Sequence, residues 1–287
     1  MELRFYEVPQ GEYVLALLGD NWIRDYGHDE SNLHFHNLME IGYCKNGTGE
    51  LILNEETKRY EPAMVSIIPQ NYPHVTISDI AEGPSYWDSG PSFWEYLFFD
   101  PMVMIQELYP DNAVMQKKVL QMINRKALFF HEWENRGISV LVKMLMDEMR
   151  QKKNHFNDCV RGLLIAFFTE LLRMCESDAS EDEVKKKTGV SQITAALDYV
   201  RLEYANNIRV EELAKASHMS ETHFRRVFES YMNMSPMDYI NLMRVQKACD
   251  IMKKTNDPMD VVAQKVGFTT TSTFNRNFKK YLNTSPY

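Results

Sequence analysis

The chain has 287 residues, of which 44% are hydrophobic and 25% charged; this is the composition of a soluble globular protein long enough for two domains. No apolar run reaches the roughly 18 residues of a membrane span, and the first residues lack the pattern of a secretion signal. We therefore expect a cytoplasmic protein with no membrane partner. The four cysteines form no CxxC pair, which predicts reduced and mostly buried thiols.

Residues 1–100 have the pattern of β structure. Short apolar and aromatic runs such as MEIGYC, MVSIIP and FWEYLFF are separated by turn signals, among them Asn46-Gly47 and Gly90-Pro91. Short, closely spaced strands are typical of a sandwich or a barrel. We predict one β domain over this part of the chain.

Within this β domain, His34 and His36 stand two positions apart, so on a strand both side chains project from the same face. They begin the pattern HxHx(3)E, which ends at Glu40 and is followed after six residues by Gly47. A second segment, Pro69 to His74, supplies another histidine. The two segments resemble the motifs of cupin barrels, although Ala63 and Asn71 stand near positions where the second motif usually has glycine.

Three interpretations of these polar residues stay open. They could line a ligand pocket, they could hold Zn, Fe, Mn or Ni through nitrogen and oxygen ligands, or they could be core and rim residues. We prefer the ligand pocket and expect no cofactor and no metal, with His34, His36, Glu40 and His74 as the alternative metal set. Abundant aromatic residues suit a small polar effector, carbohydrates included. The predicted pocket residues are His34, His36, Glu40, Tyr43 and His74.

After residue 101 the apolar residues follow helical spacing, as in Leu141, Met144, Leu145 and Met149. We predict a helical segment over 101–175 and a linker over 176–190, where ESDASEDEVKKK has almost no apolar residue. The helical stripes are broad enough to pack on the barrel and on a second subunit. Packing within one chain remains the alternative for either helix.

Residues 191–287 contain one helical unit twice, about fifty residues apart. Phe224 to Phe228 recur as Phe274 to Phe278, and Ser235-Pro236 recurs as Ser285-Pro286. Each unit has a short helix, a tight turn and a second helix with polar residues opposite an apolar face, which is the helix-turn-helix pattern. The serine cap and first-turn proline at Ser235-Pro236 predict a long helix that reaches about Lys254.

The outward faces of the two second helices predict contacts with double-stranded DNA. Arginine can donate two hydrogen bonds to guanine and asparagine can pair with adenine, whereas lysines at the helix end suit phosphate. Residues 191–287 carry 13 Lys+Arg and 10 Asp+Glu in a chain of net charge −8, so only this end suits a phosphate partner. A helical bundle with solvated charges is the alternative, and the repetition weighs against it. The predicted DNA-contacting residues are Thr222, Arg225, Arg226, Thr271, Ser272, Asn275, Arg276, Lys279 and Lys280.

From about Ile193 to Tyr287 the chain closely resembles the AraC/XylS family of transcription regulators. The resemblance rests on three segments in the family's order: VEELAKASHMSETHFRRVF, SPMDYINLMRVQKA and VVAQKVGFTTTSTFNRNFKKYLNTSP. It implies two helix-turn-helix units, bridged by a helix at about Pro236–Lys254, that enter successive major grooves. It also implies a homodimer formed through the helical segment, with RNA polymerase as a further candidate partner. Asn283 departs from the family, which usually has glycine there.

The predicted fold is a multidomain β + α protein, with a cupin-like barrel followed by a helical dimerisation segment and an all-α domain of two helix-turn-helix units. The predicted domains are 1–100, 101–175 and 191–287, with the linker at 176–190. We predict a transcription regulator that responds to a small molecule, and not an enzyme. Two alternatives are a cupin metalloenzyme with a helical appendage and a constitutive DNA binder whose barrel serves only dimerisation.

Overall fold

The computed structural model describes residues 2–19, 22, 26, 32–54, 56–79, 92–178, 189–232 and 234–286. The chain divides into two compact units, Met1–Lys186 and Lys187–Tyr287, called here the N-terminal and the C-terminal unit. Residues 179–188, which hold most of the predicted linker, lie outside the described part. Among the described residues, no helix is both long enough and apolar enough to cross a bilayer.

The described part of the N-terminal unit contains two five-stranded sheets. Their strand orders are β1-β3-β8-β5-β6 and β10-β7-β4-β9-β2. The β1–β3 pair is parallel and the other pairs are antiparallel. The strands are β1 (Glu2–Arg4), β2 (Leu15–Leu17), β3 (His34–His36), β4 (Met39–Asn46), β5 (Gly49–Leu53), β6 (Glu56–Tyr60), β7 (Met64–Ile68), β8 (His74–Ser78), β9 (Phe93–Phe99) and β10 (Leu128–His131).

The two sheets face each other across one apolar core. Alternate residues of β9, Trp94, Tyr96 and Phe98, point to the same side because side chains alternate along a strand. They pack in one buried cluster with Leu51 and Leu53 of the opposite sheet. This arrangement is the closed β architecture that the short strands predict.

Two turns of the barrel have a residue other than glycine in a left-handed backbone conformation, which glycine usually adopts. Ala63 has φ +69° and Asn71 has φ +58°, both in the left-handed region. These are the positions at which the sequence departs from the second cupin motif. Gly47 keeps the glycine of the first motif, with φ +84°, and a Cβ there would lie 2.5 Å from Cα of Ser92. The backbone of the motifs is therefore retained where the residue types are not.

The described part of the N-terminal unit has four helices after β9: α1 (Pro101–Leu108), α2 (Ala113–Ile123), α3 (Arg136–Gln151) and α4 (Phe156–Asp178). The structure differs from the predicted helical segment at β10, which pairs with β7 so that Leu128 lies opposite Ile67. A run of four residues, LFFH, is too short to show a period. Tertiary pairing with the sheet edge therefore decides its conformation.

The C-terminal unit is helical throughout its described part. The helix predicted from Pro236 to Lys254 is confirmed, and Ser235 Oγ accepts a hydrogen bond from the Asp238 amide at 3.1 Å. The next helix begins at Met259, and Pro258 at its N-cap position makes no side-chain capping hydrogen bond. The helices are α5 (Gly189–Glu203), α6 (Val210–Ala216), α7 (Glu221–Met232), α8 (Pro236–Lys254), α9 (Met259–Lys265) and α10 (Thr271–Leu282).

The four cysteines are free thiols. Cys44 is buried in the barrel core, and burial raises the pKa of its thiol to about 12, so it is protonated and unreactive at neutral pH. Cys175 and Cys249 are half-buried and Cys159 is exposed. The prediction of mostly buried thiols is therefore wrong.

Candidate nucleic-acid interface and ligand pocket

The two helix-turn-helix units close their turns in the same way. After α6 the chain passes through His218 with φ +55°, and after α9 it passes through Gly267 with φ +90°. A Cβ at Gly267 would lie 2.6 Å from the carbonyl oxygen of Ala205, so this turn requires glycine. The closing hydrogen bonds run from Met219 N to Ala214 O and from Phe268 N to Ala263 O, at 2.9 Å in both units.

Each unit packs on a different part of α8. The rings of Phe224 and Phe228 lie 5.4 Å apart, and Phe228 meets Tyr239, near the start of α8, edge-on at 5.8 Å. The rings of Phe274 and Phe278 lie 5.5 Å apart and belong to a buried cluster that includes Val245 and Ala248 from farther along α8. The inward stripes predicted from the phenylalanine spacing are confirmed.

Arg244, in the middle of α8, ties this framework together. Its Nε donates to Tyr204 O at 2.7 Å and its Nη2 donates to Asn206 O at 2.8 Å, just after the end of α5. Its guanidinium also lies 5.7 Å from the ring centroid of Phe268 in the second turn. Sequence reasoning placed Arg244 in the bridging helix but gave no sign of these contacts.

The first unit presents its predicted DNA-contacting residues, Thr222, Arg225 and Arg226, to solvent. Arg225 donates to Glu221 Oε1 at 2.8 Å, so a carboxylate on the same helix neutralises its charge. Arg226 instead donates to the ring nitrogen of His223 at 3.2 Å. Of the two arginines, Arg226 has the charge better available to a partner.

The second unit presents most of its predicted contacts, and two of them differ from expectation. Lys280 forms an ion pair with Asp238 of α8 at 2.5 Å, so it is engaged within the protein. Asn275 is half-buried, and its Oδ1 is enclosed without a hydrogen-bond partner among the described residues. Thr271 is also half-buried. The exposed members are Ser272, Arg276, Lys279 and Lys280.

In the N-terminal unit, four predicted residues come together as a buried group that we call the histidine cluster: His34, His36, Glu40 and His74. None is more than 8% exposed. His34 lies directly opposite His74 in the β3–β8 pairing, and one ring nitrogen from each histidine lies within 4.8 Å of the others. Glu40 Oε2 lies 3.1 Å from His36 Nε2 and 3.6 Å from His74 Nε2.

Backbone carbonyls orient all three rings of the histidine cluster. Each Nδ1 lies within hydrogen-bond distance of a carbonyl oxygen, which can only accept, so each Nδ1 must carry the proton. Nε2 is then the ring nitrogen that carries no proton in the neutral form of each histidine. The pairs are His34 with Asn32 O at 3.0 Å, His36 with Leu38 O at 2.7 Å and His74 with Tyr72 O at 2.8 Å.

Burial controls the charges in the histidine cluster. Burial lowers the pKa of His34 to about 2 and also lowers the pKa of His36, so both rings are neutral near pH 7. Burial raises the pKa of Glu40, but its interactions with His74 and His36 outweigh burial and hold the pKa below its usual range. The cluster therefore holds an ionised carboxylate beside the neutral rings of His34 and His36.

A small cavity, called here the barrel cavity, adjoins the histidine cluster. Its volume is about 20 Å³, room for about one water molecule. Both aromatic rings and polar groups line it. Its lining consists of Arg4, Tyr6, Trp22, Tyr26, Asn32, His34, Glu40, His74, Val75, Thr76, Tyr96 and Phe98.

Comparison with known proteins identifies the C-terminal unit. Residues 213–287 match the family described as "Helix-turn-helix domain". The C-terminal unit contains an AraC-type helix-turn-helix domain. Relatives include the raffinose operon regulatory protein RafR of Pediococcus pentosaceus, 24% identical over 196 residues (67% of this chain, 66% of RafR). The HTH-type regulator YdeC of Bacillus subtilis is 23% identical over an alignment that covers 88% of this chain and 84% of the length of YdeC. The fold also aligns with ToxT of Vibrio cholerae, with a TM-score of 0.38 and 13% identity over 88% of each chain.

Both of these sequence relatives are named as transcription regulators. The metalloenzyme alternative therefore finds no support among them. The alignment with RafR is almost twice as long as the C-terminal unit, so it must extend into the N-terminal unit. The relationship is thus not confined to the helix-turn-helix units.

One predicted pocket residue lies away from the barrel cavity. Tyr43 is an odd number of positions from Glu40 on β4, so the two side chains project to opposite faces of the sheet. Its hydroxyl donates to Glu132 Oε2 at 2.8 Å, and Tyr43 is not among the residues that line the barrel cavity. Counting positions along the strand could have excluded it.

Sequence reasoning also missed residues that the structure places at the barrel cavity. Arg4 and Tyr6 reach it because β1 pairs in parallel with β3, with Arg4 opposite His36. The alternation in LRFY is the only sequence signal for that strand, and it is short. A second cavity, of about 380 Å³, lies at the β2 edge and is lined by residues that include Leu17, Met149 and Lys152.

Proposed function

We propose that this AraC-type regulator reads a bipartite, asymmetric DNA site through α7 and α10, under the control of a small carbohydrate bound in the N-terminal barrel. The observation that carries the proposal is that two turns of the same construction each lead into a helix with an exposed arginine, Arg226 on α7 and Arg276 on α10. The helix α8 bridges the two units. The bridging helix α8 has 19 residues and is about 28 Å long at 1.5 Å per residue. That length is close to the roughly 34 Å of one DNA turn, so the two reading helices suit successive major grooves.

The two reading helices differ in chemistry, so the two half-sites should differ in sequence. Arg226 in α7 and Arg276 in α10 are the proposed guanine readers. Asn275 can read adenine once its side chain turns outward. Lys279 suits a phosphate contact, which positions the helix without selecting a base. The remaining proposed contacts are Thr222, Arg225, Thr271, Ser272 and Lys280.

A carbohydrate effector is supported by the lining of the barrel cavity, which combines the rings of Trp22, Tyr26 and Tyr96 with polar groups. RafR is named for the raffinose operon, and its alignment extends into the N-terminal unit. A cavity with room for about one water cannot hold a sugar, so binding requires the walls to separate. A ligand that binds only the widened state shifts the population toward it, which is how binding could be coupled to DNA affinity.

We further propose that the regulator acts as a homodimer in the cytoplasm and contacts RNA polymerase when bound at a promoter. Val140 and Met144 lie one turn apart on α3 and are 50% and 48% exposed. Apolar side chains exposed at this spacing suit a second copy of the same helix. Light scattering of the parent protein and of Val140→Asp would test this, with a dimer expected for the parent and a monomer for the variant.

DNA binding is tested by fluorescence anisotropy at fixed salt, because affinity for DNA falls steeply as salt rises. The probe is the DNA upstream of the regulator's own gene, and the competitor is a scrambled duplex. Arg276→Ala should cost about 1–3 kcal/mol on the specific site and little on the scrambled one. Arg173→Ala removes an exposed arginine from α4 and is the matched control. Equal affinity of the parent for both duplexes would refute sequence-specific reading.

The effector is tested by thermal shift with a panel of mono- and oligosaccharides, galactosides included. A bound sugar should raise the melting temperature of the N-terminal unit and change the affinity for DNA. Tyr96→Phe, which removes a hydroxyl from the barrel cavity, should weaken that sugar about 3- to 10-fold. Lys152→Asn alters the second cavity and should leave the affinity unchanged. A sugar that is weakened only by Lys152→Asn would move the effector site to the second cavity.

A further inference from the structure

The last turn of the second reading helix, α10, is bonded to the start of the bridging helix α8. The hydroxyl of Tyr281 lies 2.9 Å from the main-chain oxygen of Asp238 and 3.2 Å from Oδ1 of the same residue. The preceding residue, Lys280, donates to that Oδ1 at 2.5 Å. We call these contacts between Asp238, Lys280 and Tyr281 the α8–α10 junction.

The donors and acceptors of the α8–α10 junction are held in place. Oδ2 of Asp238 accepts a hydrogen bond from the Ser235 hydroxyl at 3.0 Å, and the Asp238 amide donates to Ser235 Oγ at 3.1 Å. Burial and the neighbouring carboxylate raise the pKa of Tyr281 above its ordinary value, so its hydroxyl keeps the proton that it donates. Asp238 therefore presents its acceptors in one direction, and Tyr281 always has a proton to donate to them.

The α8–α10 junction lies where the first reading helix also contacts α8. Asp238 is next to Tyr239, whose ring meets Phe228 of α7 edge-on at 5.8 Å. One turn of α8 therefore contacts α7 through Tyr239 and the end of α10 through Asp238. A change of angle at this turn changes the position of α10 relative to α7, and with it the arrangement of the two reading faces.

The other contacts of α10 with α8 are apolar. Phe274 and Phe278 pack in a buried cluster with Val245, which lies farther along α8. The ring of Tyr281 packs against the same cluster. Apolar packing is not directional, whereas the strength of a hydrogen bond depends on its angle. The polar junction therefore fixes the angle of α10 about its apolar contacts.

The first unit has a different contact at the corresponding position. Fifty residues before Lys280 stands Ser230, whose hydroxyl donates to Val227 O of its own helix at 2.7 Å. The chain connection itself limits the angle of α7, because α7 ends at Met232 and α8 begins at Pro236. α10 is far from the start of α8 along the chain, so only side-chain contacts can hold it there.

We propose that Asp238 and Tyr281 are positioning residues that fix the angle of α10 on α8 and thereby set the spacing between the two DNA half-sites. The inference rests on the proposed function, in which α7 and α10 read DNA. One added base pair moves the half-sites about 3.4 Å farther apart and rotates them by about 35° relative to each other. α10 can follow this change only if the α8–α10 junction breaks, so the intact junction makes the protein selective for one spacing.

The expected effect of weakening the junction is a loss of spacing selectivity. One added base pair should weaken DNA binding by the parent about 10-fold or more. Tyr281→Phe keeps the packed ring and removes one hydrogen bond, so it should reduce that penalty by about 3- to 10-fold. Affinity at the preferred spacing should change little. A residue that only stabilised the fold would instead change the affinity at every spacing by the same factor.

The test uses the full-length protein and duplexes that the parent selects from a randomised library. Each duplex is remade with one base pair added or removed between its halves, and affinity is measured by fluorescence anisotropy at fixed salt. Asp238→Asn should also flatten the dependence on spacing. It releases Lys280 for a phosphate contact, which should raise the affinity at every spacing alike.

Asp257→Asn is the matched control. Asp257 also accepts hydrogen bonds from a lysine, Lys265 at 2.7 Å, and from a hydroxyl, that of Thr255 at 2.9 Å. These contacts join the end of α8 to α9 and do not involve α10. The control should keep the spacing dependence of the parent.

A second measurement needs no DNA. Nitroxide labels are placed at the exposed residues Glu229 of α7 and Ser272 of α10 through a keto amino acid, which leaves the four cysteines in place. Pulsed electron paramagnetic resonance then gives the distance between the labels. The distance distribution should be narrow in the parent and in Asp257→Asn, and broader or shifted in Tyr281→Phe and Asp238→Asn.

The outcomes separate this inference from the proposed function. Equal affinity of the parent for selected and scrambled duplexes would refute DNA reading, and the label distances would then decide whether the junction positions α10. Specific binding by the parent, with the same spacing dependence in all four proteins, would overturn the inference. So would label distances that Tyr281→Phe and Asp238→Asn leave unchanged.

Discussion

Arg244 should carry much of the stability of the DNA-binding unit, although it contacts no DNA in the proposed function. Its two hydrogen bonds, of 2.7 and 2.8 Å, satisfy the carbonyls of Tyr204 and Asn206 just beyond the end of α5. The side chain is 8% exposed and also stacks near Phe268. Arg244→Met keeps much of the apolar stem and removes the guanidinium.

The magnitude follows from these contacts. A hydrogen bond from a charged donor contributes about 1.5–3 kcal/mol, so the two could contribute up to about 6 kcal/mol. Tyr204 is half-buried and Asn206 is exposed, so water can replace part of what is lost. We therefore expect Arg244→Met to lower the free energy of unfolding of the C-terminal unit by about 2–4 kcal/mol. Arg244→Lys keeps the charge without the fork and should recover about half of that loss.

The assay separates the two units because all four tryptophans precede residue 187. In urea, tryptophan fluorescence reports the N-terminal unit, whereas far-ultraviolet circular dichroism reports the helices of both. Arg244→Met should move the transition of the C-terminal unit to lower urea by roughly 1–3 M and leave the fluorescence midpoint unchanged. An unchanged circular dichroism midpoint would refute the reasoning, and a shift in both signals would show that the effect is not confined to this unit.

Three further predictions concern single contacts. Gly267→Ala should destabilise the C-terminal unit by about 1–3 kcal/mol in urea melts, because its φ of +90° strains any side chain; no change would contradict this. The Lys280 hydrogen bond holds the pKa of Asp238 below its usual 3.8, so this stabilisation is complete above pH 3.8 and is lost as pH falls through the lower folded value. Asp238→Asn should cost about 0.5–1 kcal/mol at pH 7 and nothing at low pH, and a pH-independent cost would argue against the ion pair. Arg150→Met removes the two hydrogen bonds to buried Glu95 and should lower the N-terminal unit's stability by about 2–3 kcal/mol, read by tryptophan fluorescence; an unchanged midpoint would show that Glu95 finds another partner.

The helix-turn-helix architecture could be predicted because its signals are local and occur twice. The spacing of Phe224 and Phe228 places both rings on one helix face, and the serine cap and proline at Ser235 mark a helix start. The role of Arg244 could not be predicted in the same way. Its partners lie about forty positions away, and no pattern within one helix specifies contacts at that distance.

The barrel shows the same limit. His34 and His36 share a face because of strand alternation, but only the antiparallel pairing of β3 with β8 brings His74 beside them. Tyr43 was predicted to line the pocket, and its side chain lies on the other face of β4. Proton positions in the histidine cluster depend on the carbonyls that face each ring, which the sequence does not specify.

The claim that both helix-turn-helix units read DNA is tested most directly by selection from a randomised duplex library at fixed salt. The parent should recover a motif of two different halves about one helical turn apart. Arg226→Ala should lose base preference in one half and Arg276→Ala in the other, at a cost of about 1–3 kcal/mol each. The same motif recovered by the parent and both variants, or no motif at all, would contradict the account.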